Sequence, residues 1–178
     1  MRCFIALNLP SNLKDYLFDL QRKNKTKDAK INWVAKKNLH LTLKFLGEIN
    51  EEKLEEIKKR LSSLKFKKMD VKLSSIGVFP DEIAPHILWV GLYPEADIIK
   101  LAQKIDEETL DLVAGEQQFV SHLTLGRIKT IQNKTNFKNF LKELKVDKIP
   151  CTLESFSLYK STLSSQGPSY EELEHYSL

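Results

Sequence analysis

The chain has 178 residues, 42% of them apolar and 29% charged. That is enough for one domain or two small lobes around a sizeable core, and it excludes a disordered chain. The 28 basic and 24 acidic residues leave a formal net charge of +4, which permits a local basic patch for a phosphate-bearing partner without requiring one. No apolar run reaches the length of a membrane span. Residues 1–9 are ended by Pro10 too early for the apolar core of a signal sequence. The two cysteines, Cys3 and Cys151, lie in apolar stretches outside any CxxC pair and read as buried thiols. A cytoplasmic protein with no membrane contact is expected.

Residues 2–9 are mostly apolar and read as a strand. Pro10 and Ser11 then open a helix with Leu13, Tyr16, Leu17 and Leu20 on one face. The polar stretch 22–30 reads as a loop, and its lysines, like those of residues 65–68, as a solvated surface. Trp33 and Val34 lead to a strand at 39–46, closed by Gly47. Asn50 is placed to cap a helix reaching Leu64, with Glu51 and Glu52 in the first turn. Strands are predicted at 69–78 and 86–92, and a helix at 96–113. A further strand at 119–128 precedes a short helix from about Asn136. A long strand at 149–162 shifts its apolar phase near Glu154 and Ser155, which predicts a bulge there. A turn at Gln166, Gly167 and Pro168 leads into a last strand ending near Tyr176.

The tetrapeptide His-Leu-Thr-Leu occurs at residues 40–43 and again at 122–125, 82 residues apart and near half the chain length. In a strand, alternate side chains share a face, so each copy puts a histidine and a threonine together and sends its leucines to the core. The spacing predicts an α+β fold of two pseudo-symmetric lobes facing a central cleft within one domain, residues 1–178. No glycine-rich nucleotide fingerprint is present.

Two imidazoles at a phosphodiester divide the work. One removes a proton from the attacking hydroxyl while the other donates to the leaving oxygen, each contributing roughly 10² to 10⁴-fold. Threonine hydroxyls can donate to the non-bridging oxygens, where transition-state charge collects. Such a site needs no metal and no cofactor, and no carboxylate or cysteine recurs at fixed offsets from the histidines.

The segments MRCFIALNLP, NLHLTLKFLGEI, IGVFP, HILWVGL, VSHLTLGRIK and STLSSQGPSYEEL together resemble the two-histidine phosphoesterases. The match is specifically to the 2′,5′-RNA ligase / RNA 2′,3′-cyclic phosphodiesterase group, and its last segment is closest to archaeal members. The resemblance implies a bilobal fold of antiparallel sheets flanked by helices and lining the cleft, with His40 and His122 as catalytic residues and Thr42 and Thr124 as phosphate ligands. It implies opening of an RNA 2′,3′-cyclic phosphate to a 2′-phosphate, with His40 as the acid at O3′ and His122 as the base. It also implies reversible 2′,5′ joining of RNA ends, including tRNA halves, by a protein expected to act as a monomer. Ser121 departs from the proline that many members carry before the second histidine.

Several neighbours of the pair are candidate substrate contacts. Arg127 follows Thr124 by three and needs a bulge at Gly126 to reach its face. Lys44 is in phase with His40 and Thr42 and is expected to point to the cleft, with Phe45 in the core. Phe4 either stacks a base at the rim or belongs to the core. Trp89 is assigned to the core, Trp33 is left open, and His86 and His175 are read as structural or exposed.

Overall fold

The computed structural model describes residues 1–115, 118–165 and 167–178. The element order is β1 (Arg2–Leu7), α1 (Ser11–Lys23), β2 (Ala29–Trp33), a 3-10 turn (Lys36–Asn38), β3 (Leu41–Glu48), α2 (Glu51–Ser62), β4 (Met69–Phe79), β5 (Ile87–Tyr93), α3 (Ala96–Thr109), β6 (Leu123–Ile131), α4 (Lys134–Glu143), β7 (Pro150–Leu153), β8 (Ser155–Ser164) and β9 (Gly167–Ser177). The strands form two antiparallel sheets, one ordered β3-β1-β8-β9 and the other β2-β6-β5-β4-β7.

The helices form where the apolar spacing asks for them. Leu13, Leu17 and Leu20 bury one stripe of α1, Leu54, Ile57 and Leu61 one stripe of α2, and Ile98, Leu101, Ala102 and Ile105 one stripe of α3. Each fully buried leucine contributes roughly 1.5–3 kcal/mol of burial free energy. The Asn50 side chain accepts the Lys53 backbone N–H at 2.9 Å, and Asn133 accepts that of Asn136 at 3.0 Å. Each cap is worth about 1 kcal/mol. Among the described residues no helix is long and apolar enough to cross a membrane.

Three sequence expectations are corrected. The stretch 22–30 is not all loop, since α1 runs to Lys23 and β2 starts at Ala29. The helix expected at 96–113 stops at Thr109, with a turn after it. The long strand at 149–162 is two strands in different sheets: β7 pairs with β4, and β8 pairs with β1. The phase shift at Glu154 and Ser155 therefore marks a crossover between sheets rather than a bulge, and it is pinned by the Leu178 N–H donating to the Glu154 carbonyl at 2.8 Å. Of the turn read at Gln166, Gly167 and Pro168, Gln166 lies outside the described residues; Gly167 has φ +107, which glycine accommodates without strain.

Candidate active site

Both motif histidines stand one residue before a strand, His40 ahead of β3 and His122 ahead of β6. Each folds its ring back on the backbone two residues earlier. His40 Nδ1 lies 2.6 Å from the Asn38 carbonyl, and His122 Nδ1 lies 2.7 Å from the Val120 carbonyl. A carbonyl can only accept, so Nδ1 carries the hydrogen in both rings. Nε2 is left as the nitrogen that takes or gives a proton. In the first copy, Nε2 sits 3.0 Å from Thr42 Oγ1.

The strands that follow are interrupted alike. Between β1 and β3 the register skips Leu43, and between β5 and β6 it skips Leu125. In each motif this bulge puts two successive side chains inward after the threonine and turns the third one out. In β6 the inward pair is Leu125 and Gly126, and Arg127 emerges on the face of Thr124. That is the placement the sequence required of Gly126. In β3 the inward pair is Leu43 and Lys44.

Lys44 therefore does not reach the cleft. Its side chain is fully buried, and its ammonium donates to Asp106 Oδ1 on α3 at 2.6 Å. Phe45, expected in the core, is 60% exposed, with its ring 6.4 Å from that of Phe4. Strict alternation failed at both residues for one reason, the extra residue at Leu43.

Aromatic rings hold both histidines. Phe4, Tyr159 and Tyr170 surround the first: His40 lies 4.9 Å from Phe4 and edge-on to Tyr170 at 5.3 Å, while Phe4 stacks on Tyr159 at 5.3 Å. Phe4 is 4% exposed and forms the floor beneath His40, in the wall of a small cavity that His40, Tyr159 and Tyr170 also line. His122 lies edge-on to Phe79 at 5.0 Å and to Trp89 at 6.3 Å. Trp89 is thus half-buried against the second histidine, opposite Thr124 in the register, and not in the core. Its indole lies over Gly77, where a Cβ would come within 2.2 Å of it. His86 and His175 are exposed, as expected.

His40, Thr124 and Arg127 line one cavity of about 720 Å³ together with Tyr170 and Trp33. Burial holds His40 well below the usual imidazole value, at about 4. The hydrogen bond to Asn38 opposes the shift, while the charges of Lys14 and His122 add to it, so the two histidines are close enough to feel each other's charge. Burial raises the Tyr170 phenol, with Arg127 and Arg2 opposing. Tyr170 was not singled out by the sequence, although it lies inside the last of the segments that carry the resemblance. Phe79 likewise lies in IGVFP.

The sequence profile of the LigT-like phosphoesterases matches this chain twice, over residues 7–89 and 90–170. The chain belongs to the LigT-like phosphoesterase family. Among its relatives, a Methanocaldococcus jannaschii protein named RNA 2′,3′-cyclic phosphodiesterase is 38% identical over 99% of this chain and 100% of its own length. A Thermotoga maritima protein of the same name is 29% identical over 97% of this chain and 93% of its own. The crystal structure of a Thermus thermophilus protein superposes with a TM-score of 0.81 at 28% identity, covering 100% of this chain and 98% of that one. The family match and these coverages fit a fold whose two sheets each present one copy of the motif.

Proposed function

We propose that this LigT-like phosphoesterase opens RNA 2′,3′-cyclic phosphate ends to 2′-phosphates by acid–base catalysis between His40 and His122. The observation that carries the reading is the pair of Nδ1–H···O=C contacts. They give both rings the same tautomer and leave Nε2 as the nitrogen that exchanges protons, in His40 against the Thr42 hydroxyl at 3.0 Å. The activity in the names of the relatives agrees with it.

In this reading His122 takes a proton from water as the oxygen attacks phosphorus, the P–O3′ bond breaks, and His40 protonates O3′. The products are a 2′-phosphate monoester and a free 3′-hydroxyl. Thr42 and Thr124 donate to the non-bridging oxygens, and Arg127 meets their charge. An RNA 5′-hydroxyl in place of water gives a 2′,5′ link by the same steps. RNA ending in a 2′,3′-cyclic phosphate, incubated with the protein in chelator, is expected to yield a 2′-phosphate end. A 3′-phosphate product, or no product, overturns the reading.

One observation favours the reverse order of the two histidines. A ring held near 4 is unprotonated at neutral pH, so His40 acts as an acid only when the bound phosphate anion restores its proton. A substrate with sulfur in place of O3′ separates the two orders, because a thiolate leaves without protonation. If His40 is the acid, this substrate rescues His40→Ala and not His122→Ala. If His40 is the base, the rescue goes to His122→Ala.

A further inference from the structure

The cavity that holds His40 and Thr124 continues along β6, past Arg127, to Lys129 and Trp33, with Lys37 also in its wall. At about 720 Å³ it lies in the upper half of the ~300–1,000 Å³ range of single small-molecule sites.

Its charge has one sign. Lys37, Arg127 and Lys129 line it, and among the described residues no carboxylate does. None of the three is ion-paired with a carboxylate among the described residues.

The cations are also spread out. Thr124, Arg127 and Lys129 line the cavity from β6, and a rise of roughly 3.3 Å per residue sets Lys129 about 16 Å beyond Thr124. A mononucleotide whose cyclic phosphate sits at Thr124 has no second phosphate to bring to Lys129. A longer strand does.

Trp33 completes the wall, and it is held rigidly. It pairs with Gly126 across β2 and β6. The next residue, Val34, donates its N–H to the Leu125 carbonyl at 2.9 Å. The buried Gln21 amide donates to both the Val34 and Leu125 carbonyls, at 3.0 and 2.9 Å. A Cβ on Gly126 would lie 2.6 Å from Ile31 Cγ2 and 3.2 Å from Trp33 Cε3, so the glycine lets the indole pack close on the inward side of β6, partly against the core, and border the cavity from there. A fixed aromatic ring beside a row of cations is how single-stranded nucleic acid is held, by base stacking and by phosphate attraction.

We propose that Trp33 and Lys129 bind the nucleotides immediately upstream of the cyclic end, so that the protein prefers oligonucleotide ends to mononucleotide cyclic phosphates. The inference rests on the reading that the cyclic phosphate is opened between His40 and His122.

The test compares a trinucleotide ending in a 2′,3′-cyclic phosphate with adenosine 2′,3′-cyclic phosphate. The wild type is expected to show a kcat/KM at least tenfold higher on the trinucleotide. Trp33→Ala and Lys129→Gln are each expected to cut that ratio about tenfold, and Trp33→Phe to keep most of it. On the trinucleotide, Lys129→Gln is also expected to flatten the slope of log kcat/KM against log salt by about 0.7, one single-strand phosphate contact. An equal loss on both substrates in Trp33→Ala, or an unchanged salt slope in Lys129→Gln, overturns the proposal. If the wild type opens neither substrate, the reading of the site itself fails and the upstream arm falls with it.

Discussion

The two sides of the cleft begin from the same four residues and end with different chemistry. In each, the ring nitrogen Nδ1 donates to the carbonyl two residues back, and a bulge after the threonine sends the next two side chains inward. The residues placed in that shared frame then diverge. The first side spends its inward position on Lys44, tied to Asp106, and turns Phe45 outward. The second has Gly126 inward, which lets Trp33 approach, and turns Arg127 outward. The repeated motif sets the backbone; the two residues after it decide whether that side turns a ring or a charge outward.

The histidines offer the sharpest way to break this comparison. His40→Ala and His122→Ala are each expected to lower turnover on a cyclic-phosphate RNA by roughly 10² to 10⁴-fold with the fold intact by circular dichroism. The double variant is expected to be little worse than either single one, because the two act as a unit. A large loss in only one would mean that only one side carries the chemistry.

Next in size is the ion pair found on one side alone. Asp106→Asn leaves the Lys44 ammonium buried without its carboxylate and is expected to cost about 3 kcal/mol in urea unfolding. Lys44→Met removes the charge as well and is expected to cost much less. Equal costs would show that the pair stabilises the β3 bulge through its charges.

The threonines test whether the two sides hold phosphate equally. Thr42→Ala and Thr124→Ala are each expected to lower kcat/KM by about 10- to 100-fold, the worth of one hydrogen bond to a charged group. A tenfold imbalance between them would assign the non-bridging oxygens mainly to one side.

The smallest effect is on stability against pH. His40 is held at about 4 when folded and returns toward 6.5 when unfolded. Between these values the unfolded chain binds the extra proton, so this group's contribution is complete above pH 6.5 and is lost as the pH falls toward 4. Because the ring is only half-buried, the loss is on the order of 2 kcal/mol. Urea midpoints measured across that window should fall more steeply for the wild type than for His40→Asn.

Much of the site was legible because it is local. Strand alternation pairs His40 with Thr42 and His122 with Thr124, and a glycine at 126 announces the bulge that Arg127 needs. The same bulge in β3 carries no glycine, and that is why Lys44 and Phe45 exchange their expected places. Tyr170 was hidden for a different reason: it meets His40 across 130 residues, through a pairing of β8 and β9 whose position beside β1 no short window reveals. The crossover at Glu154 showed in the sequence only as a change of phase, which a bulge and a change of sheet produce alike.

That crossover also sets an order of assembly. The strands of the two sheets are interleaved along the chain, and β1 lies between β3 and β8, strands from its own neighbourhood and from the far end. During synthesis, β2, β4, β5, β6 and β7 are all available to pair before β8 leaves the ribosome. The four-stranded sheet must wait for contacts some 150 residues apart, the slow kind to close. The cage of Phe4, Tyr159 and Tyr170 that desolvates His40 is therefore finished last, and the nascent chain holds its second histidine in place before its first.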